Sequence, residues 1–134
     1  MRRLSSLGLL AAGLLVLASC GGDEATPADF TVSMLDNSFY QDVYEIPVGA
    51  SVEFVNNGRN PHNAFAVDGS WSTQDATGDS LMLADETATL TFEDEGTYEF
   101  FCTIHATQQE DGSYEGMVGT LVVGDSEEAT SEAE

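Results

Sequence analysis

The sequence predicts an all-β fold between Asp29 and Gly124, a Greek-key sandwich or barrel of about seven to eight strands. Three observations lead to this class. Short runs of alternating apolar and polar residues recur along the segment, turn-forming residues separate the runs, and no stretch has convincing helical periodicity. The chain of 134 residues has room for one such domain and for processing segments at its ends.

Seven runs are predicted to be strands. Apolar side chains at every second position, such as Phe30, Val32 and Met34 in the first run, are most simply interpreted as core. Pro47 cannot donate a ladder hydrogen bond, so its run is expected at a sheet edge or a bulge. In chain order the runs are FTVSML, VYEIPVG, ASVEFVNNG, HNAFAV, TATLTF, GTYEFF and MVGTLVV, with the long polar connection WSTQDATGDS before the fifth.

The two ends of the chain differ from the domain in composition. Residues 1–19 combine a basic start, an apolar run too short to span a bilayer and a small-residue site that resembles the bacterial lipobox. They predict a signal peptide of the lipoprotein type, with Cys20 lipidated; the alternative is plain secretion with Cys20 incidental. Residues 20–28 are expected to form a flexible tether, and the acidic residues 125–134 a disordered tail.

The charge balance restricts the possible partners. The chain has 24 acidic and 3 basic residues and a formal net charge of −21. Nucleic acid and anionic membrane surfaces would repel such a chain, so the charge argues against direct binding to either. The acidity favours a basic protein partner, a saline habitat that screens the repulsion, or both.

Two histidines, a cysteine and a methionine form a candidate metal site. If Cys20 carries lipid, Cys102 is a lone thiol in an oxidising compartment, either buried and inert or a metal ligand. Cys102 ends a predicted strand, His105 follows in a loop, and His62 comes from a distant strand. Two imidazoles and a thiolate, with Met117 as a weak axial thioether, are the blue-copper ligand set. Each residue alone has an ordinary explanation as core or surface, whereas their joint spacing favours the metal site.

The residues around these four resemble the plastocyanin-like cupredoxins, the type 1 blue copper proteins. The likeness spans most of Asp29 to Gly124 and rests on MLDNSFYQDVYEIPVGASVEFVNNGRNPHNAF, GTYEFFCTIH and GMVGTLVV. It implies one copper ion as cofactor. The equatorial ligands would be His62, Cys102 and His105, and the axial ligand would be Met117. It also matches Asn63 and Thr103 to the hydrogen-bonded pair that links the two ligand segments.

Two positions depart from the family pattern. Met117 is the twelfth residue after His105, although relatives place the methionine within a few residues. Met117 is the first choice for the axial ligand, with the extra residues expected to loop out, and Gln109 at the usual offset is the alternative. Ile104 stands where many relatives have proline, which bears on the rigidity of the loop and leaves ligation unaffected.

The resemblance implies a monomeric one-electron carrier that cycles between Cu(II) and Cu(I) and is not an enzyme. His105 would be the electron port. The acidic residues Glu110, Asp111 and Glu115 beside it would dock a basic redox partner, such as a c-type cytochrome or an oxidase subunit. The protein is expected to be exported and lipid-anchored on the outer face of a bacterial membrane or in the periplasm. The alternatives are a copper-holding or copper-delivery lipoprotein and a metal-free β-sandwich interaction module.

Overall fold

The computed structural model describes residues 27–124, which form a sandwich of two four-stranded sheets. The predicted all-β class is therefore confirmed, with eight strands and one four-residue helix in the described part of the chain. The elements in chain order are β1 (Phe30–Leu35), β2 (Ser38–Phe39), β3 (Val43–Pro47), β4 (Ala50–Asn56), β5 (Phe65–Ala66), α1 (Gln74–Thr77), β6 (Thr87–Phe92), β7 (Gly96–Gln108) and β8 (Tyr114–Gly124).

Both sheets are mixed. The first has the order β2-β1-β4-β6, with β1 parallel to β4 and the other pairs antiparallel. The second has the order β3-β8-β7-β5, with β3 parallel to β8. β3 lies at the edge of this sheet, as Pro47 predicted, and Pro47 pairs with Gly124 at the last position of its ladder. The missing proline N–H therefore costs little in this strand.

The core lies between the sheets and is centred on Phe100, which is almost fully buried. Its ring packs edge-on against Phe39 at a centroid distance of 4.7 Å and against Phe54 at 6.2 Å. Trp71 lies 5.6 Å from the same ring. Gly119 is paired with Phe100 across β7 and β8, and a side chain there would collide with the ring. The two sheets thus meet over one aromatic cluster whose strands also position the candidate metal ligands.

The sequence predicted a loop between Cys102 and Met117, and the predicted length of this loop is wrong. β7 continues to Gln108 and β8 begins at Tyr114, so most of the expected loop is an antiparallel hairpin. The turn is tight because the Gln109 N–H donates to the Ser113 carbonyl at 2.7 Å. We call residues 106–115 the hairpin extension.

Three smaller differences concern elements with few core residues. β2 has only two residues and was not predicted, and the expected strand HNAFAV is reduced to the two residues of β5. The polar connection contains α1. The predictions for residues 1–19, Cys20 and residues 125–134 lie outside the described residues. Within residues 27–124, no helix has the length and apolar character needed to cross a bilayer.

Candidate metal centre

Three potential donor atoms converge on one point. The Nδ1 atoms of His62 and His105 are 3.1 Å apart, and the Cys102 Sγ lies 3.9 Å from the first and 3.6 Å from the second. His62 and Cys102 are fully buried, whereas His105 is partly exposed. Within residues 27–124, no other group of three His, Cys, Asp or Glu side chains lies close enough to share a metal ion.

The size of this triangle fits a bound metal. A triangle with sides of 3.1, 3.6 and 3.9 Å has its centre about 2.1 Å from each corner, close to the ~2.0–2.1 Å and ~2.3 Å of typical metal–nitrogen and metal–sulfur bonds. Two unprotonated Nδ1 atoms at 3.1 Å would repel each other, so the arrangement requires a shared proton or a cation between them. Two imidazoles and a thiolate are a donor set that suits copper.

The backbone and a carboxylate fix the position of His62. Its N–H donates to the Met82 carbonyl at 3.0 Å and its carbonyl accepts from the Met82 N–H at 2.8 Å, so the segment is paired on both sides. Its Nε2 lies 3.1 Å from Asp36 Oδ1. An ionised carboxylate has no proton to donate. In the neutral tautomer of His62 that makes this hydrogen bond, Nε2 therefore carries the ring proton. Nδ1 is then left unprotonated and available to a metal.

Asp36 was not identified from the sequence. Its Oδ1 also accepts the backbone N–H groups of Arg59 at 2.9 Å and Asn60 at 3.0 Å. The Asn60 N–H and then the His62 ring are the main causes that lower the pKa of the Asp36 carboxyl, because both favour its charged form. The carboxylate is therefore ionised at neutral pH. A sequence signal is lacking because Asp36 comes close to His62 only through the parallel pairing of β1 and β4.

Cys102 and His105 lie on an irregularity of β7. Phe101 pairs with Val118 and Ala106 pairs with Gly116, so the four residues from Cys102 to His105 face a single residue of β8. Such an excess of residues bends a strand and redirects its side chains. Gly116 has φ +110°, and a Cβ at this position would collide with the His105 carbonyl oxygen. Glycine at 116 therefore allows β8 to approach the backbone of His105.

Met117 is the residue that faces this bulge from β8, and it is fully buried. Gln109 lies beyond three further strand residues, in the turn of the hairpin extension. Its side-chain Nε2 donates to the Thr107 carbonyl at 3.2 Å. At about 3.3 Å per strand residue, the Gln109 backbone is about 13 Å along the chain from His105. Met117 thus faces the bulge that carries Cys102 and His105, whereas Gln109 lies in the turn at the far end of the hairpin extension.

Asn63 connects the His62 segment to the Cys102 segment. Its Nδ2 donates to Thr103 Oγ1 at 2.7 Å and to the Ser80 carbonyl at 2.8 Å, and its Oδ1 accepts the Thr103 N–H at 2.8 Å. Asn63 is almost fully buried, so these hydrogen bonds are protected from water. They hold together two segments that are separated by forty residues of the chain.

The fold and the donor set together define a copper protein of the cupredoxin class. Residues 29–124 match the model of the copper binding proteins of the plastocyanin/azurin family, and the chain belongs to this family. Copper is accordingly its cofactor, and His62, Cys102, His105 and Met117 fit a type 1 copper site.

Known proteins resemble this chain in sequence or in fold. The chain is 34% identical over 106 residues to the chloroplastic plastocyanin of Physcomitrium patens, a match that covers 75% of this chain and 57% of that protein. An oxidized amicyanin mutant shares the fold with a TM-score of 0.55 and 23% identity, covering 75% of this chain and 86% of that one. The Cu-containing nitrite reductase of Thermus scotoductus SA-01 matches with a TM-score of 0.55 and 28% identity, over 75% of this chain and only 23% of its own.

Proposed function

We propose that this protein is a one-electron carrier with a type 1 copper site. The observation that carries the proposal is the convergence of two Nδ1 atoms and one Sγ around a point about 2.1 Å from each. Bound copper supplies a couple between Cu(II) and Cu(I), for which this mixed imidazole and thiolate set is suited. The likeness to a plastocyanin supports the same function, although the chain spans 57% of that relative's length.

In this proposal the ligand roles follow from position. His62, Cys102 and His105 are the equatorial ligands, and buried Met117 opposite the bulge is the axial ligand. The paired backbone of His62 and the Asn63–Thr103 hydrogen bonds hold the ligand segments in place. A site held in this way needs little rearrangement when it gains or loses an electron, so transfer is fast.

His105 is the proposed electron port, because its side chain is partly exposed while the other two donors are buried. Ile104 beside it is 51% exposed, and Leu83, next to the Met82 that pairs with His62, is 58% exposed. These apolar side chains offer a partner a surface whose desolvation costs little free energy. An electron that enters through His105 reaches the metal across one ring.

The alternatives have less support. Copper delivery requires exposed, exchangeable donors, and two of the three donors here are fully buried. Catalytic copper chemistry of the nitrite reductase kind draws on a much longer chain, of which this chain matches 23%. Both histidines of the sequence already lie in the one site, so none remains for a second centre. We therefore propose a carrier without enzymatic activity.

We also propose export, with a lipid at Cys20 that keeps the monomeric domain at the outer face of a bacterial membrane. The sequence of residues 1–20 supports the export and the anchor. The proposed partner is a redox protein with a basic surface, such as a c-type cytochrome or an oxidase subunit. The hairpin extension supports this choice because it leads away from His105 and adds three exposed acids, Glu115 opposite Thr107 and Glu110 and Asp111 at its turn.

Copper binding is tested by adding one equivalent of Cu(II) to the purified protein. We expect an intense blue absorption band from charge transfer between the Cys102 thiolate and Cu(II). Cys102→Ser should remove the band, because the hydroxyl is not a soft thiolate donor. Far-ultraviolet circular dichroism of the variant serves as the control for folding. A folded wild-type protein that stays colourless with Cu(II) would contradict the proposed function.

The axial ligand is tested by Met117→Leu and Gln109→Ala in parallel. Loss of a weak thioether donor disfavours Cu(II), so Met117→Leu should raise the reduction potential by about 59 mV or more, a tenfold change for a one-electron couple. Gln109→Ala should leave both potential and spectrum unchanged, since Gln109 lies in the turn. The reverse pattern would show that Gln109 is the axial ligand and that the Met117 assignment is wrong.

Docking is tested by neutralising the hairpin extension with Glu110→Gln, Asp111→Asn and Glu115→Gln together. Stopped-flow electron transfer to a basic c-type cytochrome at low salt should become about tenfold slower, because charge steering acts on the association rate. The matched control is Glu93→Gln, Asp94→Asn and Glu95→Gln, which makes an equal charge change. These residues lie in the exposed connection that precedes β7, at the end of that strand opposite to the hairpin extension. If both triple variants slow the reaction equally, only net charge matters and the docking proposal fails.

A further inference from the structure

One carboxylate lies directly behind a proposed copper ligand. Asp36 Oδ1 accepts three N–H groups: the backbone amides of Arg59 at 2.9 Å and Asn60 at 3.0 Å, and the His62 ring Nε2 at 3.1 Å. The His62 side chain is fully buried, and the Asp36 side chain is one-third exposed. The imidazole of His62 is thus held between the donor cluster on its Nδ1 side and a negative charge on its Nε2 side.

The local fold brings Asp36 to this position. Asp36 lies in the two-residue connection between β1 and β2, where Asn37 adopts φ +70°. The parallel register of β1 and β4 pairs Met34 with Asn56, so Asp36 lies near the residues that follow β4 and lead to His62. The Asn56 side chain holds this segment by accepting the Gly58 N–H at 2.9 Å and donating to the Asn60 carbonyl at 2.9 Å.

Gly58 leaves room for the contact between Asp36 and His62. A Cβ at this position would collide with Asp36 Oδ1 and would lie 2.9 Å from His62 Nε2. The backbone of residue 58 therefore packs directly over this hydrogen bond. Any side chain at 58 must displace one of its two partners.

Within residues 27–124, no lysine or arginine forms an ion pair with Asp36. Arg59 is the only lysine or arginine within residues 27–124, and it contacts Asp36 through its backbone. In the same residues, the one ion-pair contact joins Asp36 to His62. The carboxylate therefore acts on the metal site as a negative charge behind the His62 ring.

We propose that Asp36 is a positioning residue that orients His62 and sets the reduction potential of the copper site below that of a site with a neutral partner. The inference rests on the proposed function, because it takes His62 to be a ligand. The carboxylate holds the proton on Nε2 and keeps Nδ1 free. Its negative charge stabilises Cu(II) more than Cu(I), because the oxidised ion carries the larger positive charge.

The test is Asp36→Asn, which removes the charge and keeps an oxygen that can accept the same three N–H groups. We expect the blue band to remain and the reduction potential to rise. A change of about tenfold in the ratio of Cu(II) to Cu(I) affinity corresponds to about 59 mV for a one-electron couple. The matched control is Asp29→Asn at the far end of β1, which removes the same charge. The Asp29 carboxylate accepts hydrogen bonds from Ser51.

Gly58→Ala provides an independent test that leaves every charge in place. The added methyl should displace Asp36 from His62, raise the potential in the same direction and weaken copper binding by about tenfold or more. Potentials are measured by redox titration of the blue band, and copper affinity by competition with a chelator.

The outcomes separate this inference from the proposed function. A blue wild-type protein in which Asp36→Asn has the same potential as Asp29→Asn overturns the role of Asp36 and leaves the electron carrier intact. A wild-type protein that never becomes blue overturns both. A rise confined to Asp36→Asn and Gly58→Ala supports the inference, because the loss of the charged contact between Asp36 and His62 is what the two variants share.

Discussion

The structure depends on the requirement that two ring nitrogens and one sulfur lie within reach of a single ion although the chain separates them widely. His62 lies forty residues before Cys102, while His105 follows it by three. No local element can meet this requirement, so the two sheets must do so. The paired backbone at Met82 fixes His62, the bulge of β7 redirects Cys102 and His105, and the Asn63–Thr103 hydrogen bonds tie the two segments together. The aromatic cluster around Phe100 gives this assembly a rigid base.

Part of this arrangement could be predicted from residue patterns alone. Strands such as β1 and β4 alternate fully buried side chains with partly exposed ones, and this period of two is visible in the sequence. The donor types were also evident, because an imidazole, a second imidazole and a lone thiol at characteristic spacing have few other uses. The hairpin extension was missed for the opposite reason. Apart from Tyr114, which stacks on Phe101, its residues are polar or small, and none of its side chains is buried, so no alternation marks it as a strand.

Asp36 shows a second limit of prediction from the sequence. Its role depends on the parallel register between β1 and β4, and a parallel pair has no connecting turn that would fix the register locally. The small size of β5 has a related cause. Phe65 and Ala66 pair with β7 for two positions only, and the following residues turn back so that Ser72 bridges Phe65. Long-range backbone contacts decide both features, and a linear pattern carries little information about them.

We propose that acidic residues act on the metal site at two ranges. Asp36 is in hydrogen-bond contact with His62, and its proposed effect is on the equilibrium between the two oxidation states. The acids of the hairpin extension are exposed, so salt screens them, and their proposed effect is on the rate of encounter with a partner. The convergence of the three donor atoms underlies both effects, and X-ray absorption at the copper edge of the copper-loaded protein tests it most directly. We expect a shell of two nitrogen scatterers at about 2.0 Å and one sulfur at about 2.3 Å. A shell of nitrogen and oxygen alone, without sulfur, would contradict it.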